Sequence, residues 1–105
     1  MESAALFRLL GDDARLRILR LLEAERLNVT ELTAILGIAQ SGVSRHLGLL
    51  KDAGLVEERR DGRFARYRVR AAGLKPLVDW IEHYRAFWRD RLPRLKALVE
   101  EMNDE

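Results

Sequence analysis

SGVSRHLGLLKDAGLV, residues 41–56, is the stretch on which the reading of the chain turns. Wound as a helix at about 100° per residue, it places Val43, Leu47 and Leu50 on one face. The opposite face carries Ser41, Ser44, Arg45, Gly48, Lys51 and Asp52, with no large apolar group and no pair of carboxylates. One side of this helix is made to anchor in a core. The other offers short hydroxyls, a glycine and two cations to whatever lies outside.

The segments on either side give that helix a context. Upstream, SAALFRLL sets Leu6, Phe7 and Leu10 on one helical face, and GDD breaks it. Asp12 can cap a second helix, ARLRILRLLEAE, whose core candidates are Leu16, Ile18, Leu19, Leu21 and Leu22. In RLNVTELTAILG, Asn28 and Glu31 have the spacing of a capping box, with Thr30 a competing cap. Leu32, Ile35 and Leu36 form a short apolar stripe, and Gly37 ends the helix. A tight link, IAQ, then leads into the opening helix, which stops at Gly54. Helix, short turn, helix over residues 29–53 is a helix-turn-helix pattern.

Downstream, Asp61-Gly62 in LVEERRDGRFARYRVR signals a two-residue hairpin turn. It pairs strand 55–60 with strand 63–69, setting Val56 opposite Tyr67 and Glu57 opposite Arg66. Arg59, Arg60 and Arg63 crowd the tip, with Arg66, Arg68 and Arg70 behind, so residues 55–69 read as a basic wing. The last third is helical over 74–103. Leu74, Leu77, Ile81, Tyr84, Trp88, Leu92, Leu95, Val99 and Met102 recur at spacings of three or four. Pro76 suits a first turn, and Pro93 predicts a kink or break just after Leu92. A stripe so long and aromatic exceeds what the first 70 residues can cover, and an equivalent stripe on a second subunit would match it.

Charge follows the same division. The net charge is only +2, but residues 41–70 carry eight Lys/Arg against four Asp/Glu, while each flanking part is mildly acidic. A cationic excess confined to one segment favours a localised anionic partner such as nucleic acid. At 105 residues, 48% hydrophobic and 34% charged, the chain reads as one folded domain, 1–105. The absence of cysteine excludes disulfides, thiolate metal sites and thiol redox chemistry. The start, MESAALFRLLGDD, is acidic at Glu2 and helix-patterned rather than a signal peptide. No apolar run reaches membrane-spanning length, so a cytoplasmic protein with no membrane partner is expected. No nucleophile–His–carboxylate set is present, so neither an enzyme nor a cofactor is expected.

LFRLLGDDARLRILRLL, VTELTAILGIAQSGVSRHLGLLKDAGLV and RRDGRFARYRV, taken in this order, resemble the ArsR-type winged-helix repressors of bacteria and archaea over roughly residues 5–70. The resemblance implies a mainly α fold with a small β-hairpin, a winged helix-turn-helix. It implies that the helix matching residues 40–53 enters the DNA major groove, that the hairpin is the wing, and that the first and last helices pair two subunits. The expected partners are therefore double-stranded DNA, at an inverted repeat, and a second copy of the chain. The residue chemistry agrees: Arg45 can reach a guanine edge through two hydrogen bonds, and Gln40, Ser41 and Ser44 can contact bases or phosphates. Lys51, Arg59, Arg60, Arg63 and Arg66 complete the expected DNA surface. Gly48 serves either a close approach to DNA or the packing of another helix. His46 reads as a half-buried packing histidine with a backbone hydrogen bond. Leu6, Phe7, Leu77, Ile81, Tyr84, Trp88, Leu92 and Leu95 are the expected dimer contacts.

The resemblance also bears on control. Relatives of this type commonly release DNA on binding metal through cysteines in the helix matching residues 30–36, where this chain reads NVTELT without a cysteine. A second type uses carboxylate and histidine on the last helix of both subunits. Asp79 and His83 have the i, i+4 spacing, but the second pair would fall near RLPRL, which supplies no ligand and two positive charges. They read as a surface pair before a metal site. DWIEHYRAFWRDRLPRLKALVEE looks instead like the tail of a subgroup without metal ligands, and no Gly-rich nucleotide loop is present. Trp80, Tyr84, Phe87 and Trp88 read as dimer core, with a small organic inducer between subunits, or control by expression level alone, as the routes of regulation. A winged-helix protein-interaction module and a metal-responsive repressor built on Asp79 and His83 are the alternatives. The first lacks a reason for so many wing arginines.

Overall fold

Asp12 opens the first well-anchored helix, as its side chain allows. In the computed structural model, which describes residues 3–103, α1 (Ser3–Leu10) is followed by α2 (Asp13–Ala24). The Asp12 carboxylate accepts the Arg15 N–H at 3.1 Å. Glu2 and the extreme ends of the 1–105 span lie outside the described residues. At α3 (Val29–Leu36) the Asn28 side chain accepts from Glu31 N at 2.8 Å, and Glu31 returns a bond to Asn28 N at 3.0 Å. The capping box is thus formed by Asn28, and Thr30 lies inside the helix. Gly37, at φ 68, gives its N–H to Thr33 O at 2.9 Å and closes α3 in the left-handed conformation that glycine adopts without steric cost.

Only Gly37 to Ala39 separate α3 from α4 (Gln40–Asp52). At the end of α4, Gly54 N bonds Lys51 O and Leu55 N bonds Leu50 O, both at 2.9 Å, with Gly54 at φ 77. This is a Schellman closure, and it brings Leu55 and Leu50 together, both fully buried. Val43, Leu47 and Leu50 are all buried, so α4 is anchored by the expected face. They meet Ile18, Leu22 and Leu32 in one core that also takes in Leu27 and Val56.

The strands are β1 (Val56–Asp61) and β2 (Phe64–Val69), antiparallel. Their register corrects the sequence reading: Val56 faces Val69, Glu57 faces Arg68, Arg59 faces Arg66 and Asp61 faces Phe64. The turn therefore centres on Gly62 and Arg63 rather than Asp61 and Gly62. Gly62 has φ 64 and, among the described residues, no non-glycine residue has positive φ, the pattern of a type II′ turn with glycine first. A two-residue shift leaves every side chain on its original face, so the apolar pattern could not discriminate between the registers. Leu27 pairs with Tyr67 along the free edge of β2, through bonds of 3.2 and 2.9 Å.

After a 3-10 turn at Ala71–Leu74, α5 runs from Lys75 to Asn103 as one helix through Pro93. Of the kink or break expected just after Leu92, the break does not occur. A proline withdraws one hydrogen bond from the ladder but is compatible with a helix that continues. At 29 residues α5 is about 44 Å long. The radius of gyration is 17.8 Å, against about 13 Å for a compact chain of this length, so α5 projects beyond the core. Several apolar assignments change accordingly. Leu6 is only 1% exposed and belongs to the monomer core, so it is not the exposed partner contact expected, while Leu77 is half-buried against that core. Leu16 and Ile35, expected inside, are exposed.

Candidate nucleic-acid interface

The outward face of α4 carries Gln40, Ser41, Ser44, Arg45, Gly48 and Lys51, all exposed. A Cβ placed on Gly48 would meet nothing within 4 Å. Of the two uses expected for this glycine, packing of another helix of this chain is therefore not the one realised. His46 is half-buried beside α2, where its Nδ1 lies 3.3 Å from Arg15 Nη1. Its partner is a side chain and not the expected backbone group. Arg15 in turn donates to Leu9 O at 2.6 Å, so one guanidinium joins α1, α2 and α4.

The wing lies beside this face, with Arg59, Arg60 and Arg63 exposed at its tip. Among the described residues none of these three, nor Arg45, forms an ion pair. Arg60 makes only a long bond of 3.4 Å to Arg63 O. The other cations of the segment differ. Lys51 Nζ is 2.8 Å from Glu58 Oε2, and the Tyr67 hydroxyl reaches the same oxygen at 3.5 Å. Arg66 donates to Asp61 Oδ2 at 3.0 Å and to Glu31 Oε1 at 3.1 Å. Arg68 pairs with Glu57 across the hairpin. Lys51 and Arg66 are thus engaged by carboxylates, which the sequence did not reveal. Glu58, Glu31 and Asp61 acquire their role only when strand register and helix packing bring them near.

The electrostatics follow from these contacts. The Lys51 ammonium holds the Glu58 carboxyl below its ordinary range, and Glu58 raises Lys51 in return. The Arg15 N–H at the helix cap similarly lowers Asp12. Partial burial raises the Tyr67 phenol, which keeps it a neutral donor.

A second surface runs along α5. Phe7 packs edge-on against Trp80, with ring centroids 5.2 Å apart, and Trp80 lies 4.8 Å from Tyr84. Tyr84, Phe87 and Trp88 continue the row, and the Arg91 guanidinium sits 3.7 Å from the Phe87 centroid. Trp80, Ile81, Trp88, Leu92 and Leu95 are all substantially exposed on this helix. Asp79 is bonded to Lys75 at 2.9 Å, and His83 stacks edge-on against Tyr84. Among the described residues no three His, Cys, Asp or Glu side chains cluster as metal ligands would.

The family described as bacterial regulatory protein, arsR family, matches residues 12–58. The arsenical resistance operon repressor of Escherichia coli is 42% identical over 101 residues, covering 92% of this chain and 81% of the relative. Among solved structures, an ArsR-like transcriptional regulator from a Rhodococcus species is similar, with TM-score 0.71, 32% identity and 90% of each chain covered. The homodimeric winged helix-turn-helix DNA-binding domain of a Mycobacterium bovis protein matches with TM-score 0.63 and 30% identity, covering 77% of this chain and 78% of that one.

Proposed function

The chain belongs to the ArsR family of DNA-binding transcriptional regulators, and on that premise we propose that it acts as a homodimeric repressor at an inverted repeat. The helix-turn-helix of residues 29–53 reads DNA through α4, the wing of residues 55–69 flanks it, and α5 with α1 joins the subunits. The observation that carries this reading is the α4 face. Arg45 and Gly48 stand exposed on it, and among the described residues no neighbouring element comes within 4 Å of a Gly48 Cβ and Arg59, Arg60 and Arg63 of the wing form no ion pair. Arg45 supplies a bidentate donor for a guanine edge, Gly48 lets the backbone come close, and Gln40, Ser41 and Ser44 supply short polar contacts.

Two subunits follow from the apolar row on α5, because an exposed stripe of aromatic and aliphatic groups on a projecting helix is stabilised by a second copy of itself. Phe7, Ile81, Tyr84, Trp88, Leu92 and Leu95 are the contacts assigned to that interface. Such a regulator works in the cytoplasm, on the genome.

The relative from Escherichia coli is named for arsenical resistance. This chain contains no cysteine, so it cannot sense an arsenical through thiolates. Control by a small organic inducer seated among the interface aromatics fits the residues better than control by metal, since Asp79 is held by Lys75. The test of the proposed function is selection of bound duplexes from a random-sequence pool. An inverted repeat with half-sites about 34–36 Å apart is the expected product. Recovery of no common motif would overturn the reading.

A further inference from the structure

Two cations of the basic segment meet carboxylates that belong to neighbouring elements. Lys51, on the last turn of α4, bonds Glu58 of β1 at 2.8 Å. Arg66, on β2, bonds Glu31 of α3 at 3.1 Å, and holds Asp61 beside the turn at 3.0 Å. One bridge ties the wing to the reading helix and the other ties it to the helix before. Glu31 also completes the capping box of α3, so the second bridge ends on a group that is itself fixed. Arg66 lies directly across the hairpin from Arg59, a like-charge pair that would repel. Its two carboxylate partners remove that repulsion and leave Arg59 as the free cation of the pair. A lysine or arginine so matched presents little net charge to a phosphate.

From this geometry we infer that Lys51 and Arg66 are positioning residues, which brace the wing against α4 and α3 while Arg59, Arg60 and Arg63 meet the phosphates. The inference rests on the DNA-binding reading above. Its physical content is preorganisation. A sequence-specific complex needs the reading helix and the wing seated together, and a wing already held in place loses less freedom on binding. Random DNA, bound chiefly through charge, has no such requirement. The braces therefore act on the ratio of specific to random affinity.

The experiment measures affinity for a duplex selected from a random pool and for an unselected duplex of equal length, each across a salt series. Lys51→Met and Glu58→Gln are compared with the double variant, and Glu31→Gln is tested separately, because glutamine retains the capping box while losing the charge. Each single variant is expected to lower the specific-to-random ratio about twofold to fivefold, the range that exposed ion pairs support. The double variant loses no more than either single one, and the charge-swapped pair Lys51→Glu with Glu58→Lys recovers the ratio. The salt slope of Lys51→Met stays at the wild-type value. If Lys51 were a phosphate ligand, its loss would flatten the slope by about 0.9, and Glu58→Gln would tighten both duplexes with the ratio unchanged. That pattern overturns the inference. A wild-type protein that fails to prefer its selected duplex refutes the DNA-binding reading instead, so the two failures are distinct.

Discussion

Gly48 lies in the middle of α4, exposed on its outward face. Glycine inside a helix costs roughly 1 kcal/mol relative to alanine, and among the described residues nothing occupies the space a methyl would take. Gly48→Ala is therefore expected to stabilise the protein by up to about 1 kcal/mol in urea unfolding while weakening DNA binding, two effects of opposite sign. A variant that is stabilised and binds unchanged would remove Gly48 from the interface. Arg45→Ala should cost about 1–3 kcal/mol on the selected duplex and relax its base preference. Arg63→Ala should weaken all duplexes evenly and flatten the salt slope by about one, read by the same titrations. Gly48 and Arg45 were legible in the sequence because helical periodicity fixes the face a residue lies on, whatever the fold around it, and Arg63 because Asp61-Gly62 marks a hairpin beside it. Lys51 and Arg66 were legible as cations only. Their partners lie 7 and 35 residues away, and no local pattern marks such pairs.

Among the elements, the helix ends were the most readable features, because capping is decided within four residues. Asn28→Ala removes the acceptor for Glu31 N and should cost about 1 kcal/mol, measured by thermal or urea unfolding. The hairpin register was not readable, since both candidate registers place Val56 and Tyr67 on the same face and both give Glu57 an arginine opposite. What distinguishes the true one is tertiary: Leu27 pairs along β2, and Arg70 N bonds Leu55 O at 2.8 Å. Gly73 carries a related lesson. A Cβ there would fall 2.0 Å from Gly54 O, so the 3-10 turn and the end of α4 touch backbone to backbone. Gly73→Ala should be destabilising, by contrast with Gly48→Ala. The wing brace has a pH signature as well. Glu58 has a depressed folded pKa, so its contribution is complete above the ordinary carboxylate range and disappears as pH falls below about 4. The stability difference between wild type and Glu58→Gln should thus be constant between pH 6 and 8 and shrink in acid.

For the whole molecule, the projecting α5 governs behaviour. Its apolar row was visible as a spacing of three and four, but the division of that row between core and surface was not, because Leu77 turns inward only once α5 packs near the core. Truncation of residues 86–105 should reduce dimerisation while leaving the helix-turn-helix folded, as read by sedimentation and circular dichroism. Zinc should leave DNA affinity unchanged, since the Asp79 carboxylate is paired with Lys75 and Arg85 lies beside Glu82. Stoichiometric zinc binding lost in His83→Ala, with weakened DNA affinity, would make the last helix a metal sensor instead. That two copies of this chain, joined through α5, read one DNA site together is the proposal on which the rest depends. It is tested most directly by the mass of the complex on a single selected duplex, determined by sedimentation at physiological salt. Two 12.1 kDa chains per duplex are expected, bound together with no populated one-chain complex. A saturating complex of one chain per duplex would contradict it.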